Sequence, residues 1–294
     1  MLAAYLHTLN PFVIQFTESF GIRWYGLAYV AGFICGYYLY LNLARRGLSK
    51  IKEAEVGDFI AGACIFGVLL GGRLGYYLFY QTSTLWQEPL QVLKIWDGGM
   101  SSHGGMLGIF LYTLYYSKRH HIPWANLADN LGVVATVGIF FGRIANFING
   151  ELYGRVTDVA WAVQFPTEFY TGEKIKTMLS SPELVQMLMD TLPKRHPSQI
   201  YEALLEGLFL FTVLWLVRTR VKTPDGVITG LFLTLYGIVR IFVEQFRQPD
   251  VGDPLVDGLS KGQWLSIALM LFGLLTIAFV YFQNRNSKTP AETA

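Results

Sequence analysis

LADNLGVVATVGIFFGRIANFING, residues Leu127–Gly150, is the stretch on which the fold turns. The hydrocarbon core of a bilayer, about 30 Å thick, needs about 20 mostly apolar helical residues to cross it. This run supplies them without the polar face that a soluble helix would keep. Yet Arg143 stands inside it. Counted from Leu127 it lies about 16 residues in, ~24 Å along a helix rising about 1.5 Å per residue. A charge at bilayer depth costs at least ~2.5 kcal/mol even on lenient scales, so it requires a reason.

Six further runs read the same way: Trp24–Leu43, Gly57–Tyr80, Gly98–Ser117, Ile200–Val217, Gly226–Phe246 and Gln263–Gln283. The third in chain order, Gly98–Ser117, opening with Gly98, Gly99, Ser101, Ser102 and His103, is the least apolar. The expectation is an all-α polytopic membrane protein with seven transmembrane helices, residues 1–294 forming a single membrane domain. Composition agrees, since 52% of the 294 residues are hydrophobic and only 15% charged, against about 25% charged in soluble domains. A net charge of +2 suggests no nucleic-acid partner. Cys35 and Cys64 fall in apolar runs, so neither belongs to a disulfide framework or metal cluster; both read as small buried hydrophobes. Met1–Phe20 lacks the basic n-region and small-residue cleavage site of a signal peptide. Residues 1–23 read as an external N-terminal arm whose apolar side chains can lie along the membrane surface.

Basic residues set the direction of the spans. Eleven of the 23 lysines and arginines lie in short segments on one side, among them Arg45, Arg46, Lys50, Lys52, Lys118, Arg119, Arg218, Arg220, Lys222, Arg285 and Lys288. Nine lie on the other side, five of them in one long connection, where charge carries less topogenic weight. The N-terminus is therefore expected outside and the C-terminus in the cytoplasm, with residues 284–294 a short cytoplasmic tail. The long connection, residues 151–199 between the fourth and fifth spans, reads as a small external head. Its alternating Ala160–Phe165 suggests short strands, and Pro182–Leu192 suggests a helix.

Three arginines remain inside the spans, Arg73, Arg143 and Arg240, and on this topology all three lie past the midpoint toward the outside. Tyr25, His103 and Glu202 sit near the starts of inward-going helices, and Asn146, Asn149, Glu151 and Glu244 near the ends of outward-going ones. Loop charges and polar residues, read separately, thus converge on one layer in the outer-leaflet half. Two bland explanations compete: arginines near helix ends snorkel to the interface, and Arg240 with Glu244 is an i, i+4 pair able to neutralise itself. The layer as a whole favours a polar cavity for an anion. The planar fork of arginine matches phosphate bidentately, and a phosphate in the outer leaflet is a phospholipid head group. Gly98-Gly99 and Gly104-Gly105 flank His103; they let backbone approach a ligand or let helices pack closely.

The segment Gly142-Arg143-Ile144-Ala145-Asn146-Phe147-Ile148-Asn149-Gly150-Glu151-Leu152-Tyr153-Gly154-Arg155 closely resembles the signature of bacterial prolipoprotein diacylglyceryl transferases. The same family is matched by Arg23-Trp24-Tyr25-Gly26, by Asp97 through His103 to Gly105, by His196-Pro197-Ser198-Gln199-Ile200-Tyr201-Glu202, and by Tyr236-Gly237 through Arg240 to Glu244 and Arg247. The blocks come in family order and cover nearly the whole chain. Ala145 stands where many relatives have glycine. The resemblance implies a multi-pass enzyme of the bacterial inner membrane that needs no cofactor and no metal. It would move the diacylglyceryl group of phosphatidylglycerol onto the lipobox cysteine of a prolipoprotein, with glycerol phosphate leaving and a thioether forming.

On that reading Arg143 and Arg240 stabilise the phosphate, catalytic with His103. Asn146 and Asn149 orient the glycerol head, Glu202 and Glu244 hold the arginines, and Glu151 orders the first turn of the head. Gly104, Gly105, Gly154 and Tyr236 complete the substrate-binding set with Tyr25, which either donates to a lipid oxygen or is an interfacial belt tyrosine. His103 is either the general base, because imidazole titrates near neutrality, or a ligand-orienting donor. Arg73 has no named partner. A phospholipid transporter or scramblase is the main rival, but it favours a polar path through both leaflets and inverted repeats. An intramembrane protease lacks its motifs here, and a non-catalytic lipid-binding scaffold would have no use for a base.

Overall fold

The computed structural model describes residues 5–17, 21–94, 98–248 and 258–286, so Asp97, Lys288 and the end of the tail lie outside the described residues. The chain is mostly helical. The helices are α1 Trp24–Arg45, α2 Glu53–Tyr80, α3 Thr82–Gln87, α4 Ser102–His120, α5 Trp124–Asn149, α6 Gly172–Leu179, α7 Pro182–Thr191, α8 Ser198–Arg220, α9 Val227–Val243 and α10 Lys261–Asn286. Among the described residues five of them, α1, α2, α5, α8 and α10, are long and apolar enough to cross a membrane. α9 is apolar but only 17 residues long. α4 has 19 residues and carries Ser102 and His103 in its first turn and Lys118, Arg119 and His120 in its last.

Two compact units form, residues 33–132 and residues 1–32 with 133–294. In the first, α2 and α4 meet backbone to backbone. A Cβ on Gly75 would lie 2.4 Å from the Cα of Gly104, and one on Gly104 would lie 2.4 Å from the carbonyl of Gly71. Small residues at such a crossing let dispersion act between backbones where lipid offers no hydrophobic drive. Phe59 packs on Tyr40 and Tyr116, with centroids 5.3 and 4.8 Å apart. Asn126 accepts from the backbone N–H of Lys50 at 2.8 Å and, with Asn130, donates to the carbonyl of Leu48, pinning the loop after α1. The chain enters α4 through Gly98 and Gly99, both left-handed at φ +74° and +77°. The helix therefore starts at Ser102, four residues later than hydropathy suggests. Ser101 caps it, its hydroxyl accepting from the N–H of Gly104 at 3.2 Å.

In the second unit the arm and the 151–199 connection fold together. Strands β1 (Tyr5–Leu6), β4 (Val163–Gln164) and β5 (Lys194–Arg195) form one sheet in the order β1-β4-β5, β1 parallel to β4 and β5 antiparallel. β2 (Phe12–Gln15) and β3 (Gly21–Arg23) form an antiparallel pair. The short strand expected from the alternating Ala160–Phe165 is narrowed to Val163–Gln164, with Ala162 to Phe165 all buried. The arm and α7 explain this, because Gln164 faces inward and donates to the carbonyls of Met189 and Leu192 at 2.8 and 2.6 Å. The helix expected at Pro182–Leu192 is α7, with proline in its first turn. Met178, Leu188 and Leu192 form a small core with Leu6, Tyr170 and Leu184 around it. A second core, Leu210, Val239 and Val243, joins α8 to α9.

Candidate active site

Glu202 and Glu206 are four apart on α8 and so share one face. Between them the helix loosens into π turns, Ala203–Phe209, a distortion frequent at functional sites. Gly207 brings α8 against α5: a Cβ there would lie 2.6 Å from that of Phe140. One turn beyond Phe140, Arg143 meets both carboxylates, Nη1 at 2.9 Å from Glu202 Oε2 and Nη2 at 3.2 Å from Glu206 Oε2. From α9, Nη1 of Arg240 reaches Glu202 Oε1 and Glu206 Oε1, both at 3.1 Å, and Nη2 reaches Glu244 Oε2 at 3.4 Å. Arg247 closes the ring, 4.0 Å from Glu202 and 3.9 Å from Glu244.

Among the described residues three guanidinium groups thus face three carboxylates, a formally neutral set. The side chains of Glu202 and Glu206 are fully buried, whereas Arg143 and Arg240 keep 19% and 12% exposure. The arginines, not the acids, present an edge outward. Glu202 Oε2 and Glu244 Oε2 face guanidinium nitrogens without hydrogen-bond alignment. Ser260 donates to Glu244 Oε1 at 3.1 Å, fixing that carboxylate from its other side. Tyr236, one turn before Arg240, packs on the Leu210 core.

At the end of α5, Glu151 Oε1 accepts from Asn146 Nδ2 at 2.8 Å and from Asn149 Nδ2 at 3.3 Å. Asn149 Oδ1 is buried without a partner. Gln199 Nε2 donates to the carbonyl of Glu151 at 2.6 Å, tying this turn to the start of α8. Gly154 is enclosed by backbone: a Cβ would lie 2.5 Å from the carbonyl of Phe246 and 2.6 Å from that of His196. Beside it Arg195 pairs with Glu168 and lies over the Tyr153 ring at 4.8 Å. Burial pushes the Tyr153 hydroxyl up from its ordinary pKa. His196, whose pKa burial lowers, contacts the Tyr201 hydroxyl at 3.2 Å.

The sequence-derived residues divide accordingly. Arg143, Arg240, Glu202 and Glu244 come together in one cluster, and Asn146, Asn149 and Glu151 in a second. Tyr25 lies in the first turn of α1, half-buried against Tyr29. His103 belongs to the other unit, exposed in the first turn of α4, with Gly104 closed off by the α2 crossing and Gly105 roomier beside it. Two members of the cluster escaped the sequence reading. Glu206 was legible from its spacing to Glu202 and from the cost of a carboxylate in an apolar run. Arg247, named in the sequence only as the end of a family-matching block, stands three residues after Glu244 and pairs with it at 3.9 Å.

A mostly helical chain with five helices suited to crossing a membrane and a buried arginine–carboxylate cluster among them defines a polytopic membrane protein with a polar site. Residues 11–279 match the family model described as prolipoprotein diacylglyceryl transferase. The chain belongs to that family. It is 41% identical over 281 residues to a phosphatidylglycerol–prolipoprotein diacylglyceryl transferase of Neisseria gonorrhoeae, covering 94% of this chain and 96% of that protein. Likeness to the enzymes of the same name from Phenylobacterium zucineum and Allorhizobium ampelinum is 40% over 294 residues and 44% over 267, covering 97% and 87% of this chain and 96% and 85% of theirs.

Proposed function

We propose that the chain transfers the diacylglyceryl group of phosphatidylglycerol to the lipobox cysteine of a prolipoprotein. The cysteine sulfur attacks the glyceryl carbon attached to phosphate oxygen. The C–O bond breaks, glycerol phosphate leaves with its electron pair, and a thioether forms. His103 takes the thiol proton, making the thiolate that is the true nucleophile. Arg143 and Arg240 meet the charge that grows on the leaving phosphate. The nucleophile belongs to the substrate, so no catalytic cysteine is required of this chain. The observation that carries the reading is the pairing of Arg143 and Arg240 through shared carboxylates, in a chain of this family.

In this proposal the protein spans the bacterial inner membrane seven times, α4 and α9 included. The N-terminal arm and the 151–199 head lie outside, the C-terminus lies in the cytoplasm, and the site opens to the outer leaflet. Purified protein given phosphatidylglycerol and a lipobox peptide should release glycerol phosphate in step with a diacylglyceryl mass gain on the cysteine. Modification without glycerol phosphate, or lipid flipping in vesicles with neither product, overturns the reading. For orientation, a cysteine at Glu173 should react with impermeant maleimide in intact spheroplasts and one at Lys52 should not, with Cys35 and Cys64 replaced by alanine.

A further inference from the structure

The loop leading into His103 hangs on one buried side chain. Arg73, on α2, is 2% exposed. Its Nε donates to the carbonyl of Val92 at 3.0 Å. Nη1 donates to the carbonyls of Gly98 and Gly99, the latter at 3.0 Å. Nη2 donates to those of Gln91 at 2.8 Å and Lys94 at 2.7 Å, and lies 3.4 Å from the Tyr77 hydroxyl. A guanidinium has five N–H donors in a fixed fork, and here five main-chain carbonyls receive them. Arg73 is therefore unlike Arg143 and Arg240, whose forks face carboxylates: its donors are already engaged by backbone, and no edge is left for a phosphate.

The carbonyls come from both ends of the segment 91–99, so one guanidinium draws the ends together. The left-handed Gly98 and Gly99 turn their carbonyls onto it. A Cβ at Gly99 would meet the Tyr76 ring at 2.6 Å, which fixes that turn from the far side. The next residues are bolted to the same place: the N–H of Ser101 donates to the carbonyl of Gly72 at 3.0 Å, and Ser101 then caps α4. His103 is two residues on. We infer that Arg73 is a positioning residue that fixes His103 by holding residues 91–94 and 98–99 ahead of it, and that its charge serves these backbone carbonyls and not the lipid phosphate. The consequence for turnover rests on the reading of His103 as the proton acceptor; the consequence for the placement of His103 does not.

The test uses Arg73→Lys in the full-length protein, since lysine keeps the charge but has three donors on a point ammonium. Variants are first checked for a monodisperse gel-filtration peak. Reaction with diethyl pyrocarbonate is then followed at each histidine by mass spectrometry across pH. In Arg73→Lys the rate and pH midpoint at His103 should change, while His120 and His121 at the other end of α4 hold theirs. Turnover should fall by about 10²-fold, the scale of a ~1 Å misplacement, with the KM for phosphatidylglycerol little altered. Gly99→Ala, which displaces the backbone at one of the acceptors of Arg73 while leaving its guanidinium in place, should give the same pair of effects and serves if Arg73→Lys does not fold. Unchanged modification of His103 in a folded Arg73→Lys or Gly99→Ala overturns the inference, as does a rise in KM alone, the sign of a direct phosphate contact. Altered modification with normal turnover upholds the hold of Arg73 on His103 and removes His103 from the chemistry instead.

Discussion

Glu206→Gln is the sharpest perturbation of the cluster, because it changes one charge and almost no volume. Glu206 is fully buried and faces two arginines, at 3.2 Å from Arg143 and 3.1 Å from Arg240. At an effective dielectric of about 20, each contact at that distance is worth about 5 kcal/mol before desolvation. Deleting one partner from a buried pair costs about 3–5 kcal/mol net. Glutamine keeps one oxygen as an acceptor and Glu202 still bridges both arginines, so the lower end, about 3 kcal/mol, applies. At about 2 °C per kcal/mol for a chain of this size, thermal unfolding in detergent should move down by about 6 °C. The kinetic effect should be larger than the structural one. With two forks loosened, kcat for glycerol phosphate release should fall by about 10²-fold, while phosphatidylglycerol still binds to a cluster now formally +1. A Glu206→Gln protein with wild-type melting and wild-type kcat would refute the claim that the six charges act as one unit.

Arg143→Lys should lose most activity, about 10²-fold or more, because an ammonium cannot span Glu202 and Glu206 and present a second edge; near-normal turnover would dismiss the fork. Stability should depend on pH through His7, which is 2% exposed, packed against Phe147 and Phe165 at 5.3 and 5.2 Å, with Nε2 unpartnered. Burial holds its folded pKa below the ordinary value of 6.5. The unfolded chain therefore takes the proton first, so this contribution is complete above about pH 6.5 and declines below it, by up to about 1.4 kcal/mol per pH unit. His7→Phe should flatten the melting temperature between about pH 7 and pH 5, and an unaltered slope would clear His7. Gly75→Ala should cost about 1–3 kcal/mol from overpacking the α2–α4 crossing, read as a lower melting temperature.

Five of the seven expected spans have helices long and apolar enough to cross among the described residues, and they were legible because lipid imposes one condition on every residue of a crossing helix. Places where the reading fell short share a cause: a partner supplied from far along the chain. Ala160–Phe165 alternates in sequence, but Ala162–Phe165 are all buried, with β1 paired to β4 and Gln164 bonded to the turn after α7. Glu206 stands four residues after Glu202, but its partner Arg240 comes from 34 residues away. Arg73 is the extreme case. Its acceptors are main-chain carbonyls, which every residue carries, so no side-chain pattern could have named them. Depth along the spans, by contrast, placed Glu202, Arg143 and Arg240 in one layer before any distance was known, since each sits in a run that tolerates no unpaired charge.

The neutrality of the cluster bears on how arginines can serve both the fold and the proposed reaction. Three guanidinium groups so buried and without partners would each carry a desolvation cost of several kcal/mol; the three carboxylates offset it and hold the forks in place. A neutral cluster attracts a phosphodiester of charge about −1 only weakly, which keeps the ground state from being overbound. As the C–O bond breaks, the phosphate becomes a monoester and its negative charge rises toward −2. Arginine edges already fixed by Glu202, Glu206 and Glu244 then gain most where the charge grows, and stabilisation confined to the transition state raises kcat and not merely affinity. The same argument sets the carboxylates apart from the arginines. Glu202→Asp keeps the charge but draws it back by one methylene from both forks, so it should leave the affinity for phosphatidylglycerol near normal and lower kcat. A Glu202→Asp enzyme with a raised KM and a normal kcat would mean that the acids act on ground-state binding, and the account of a preset fork would fail.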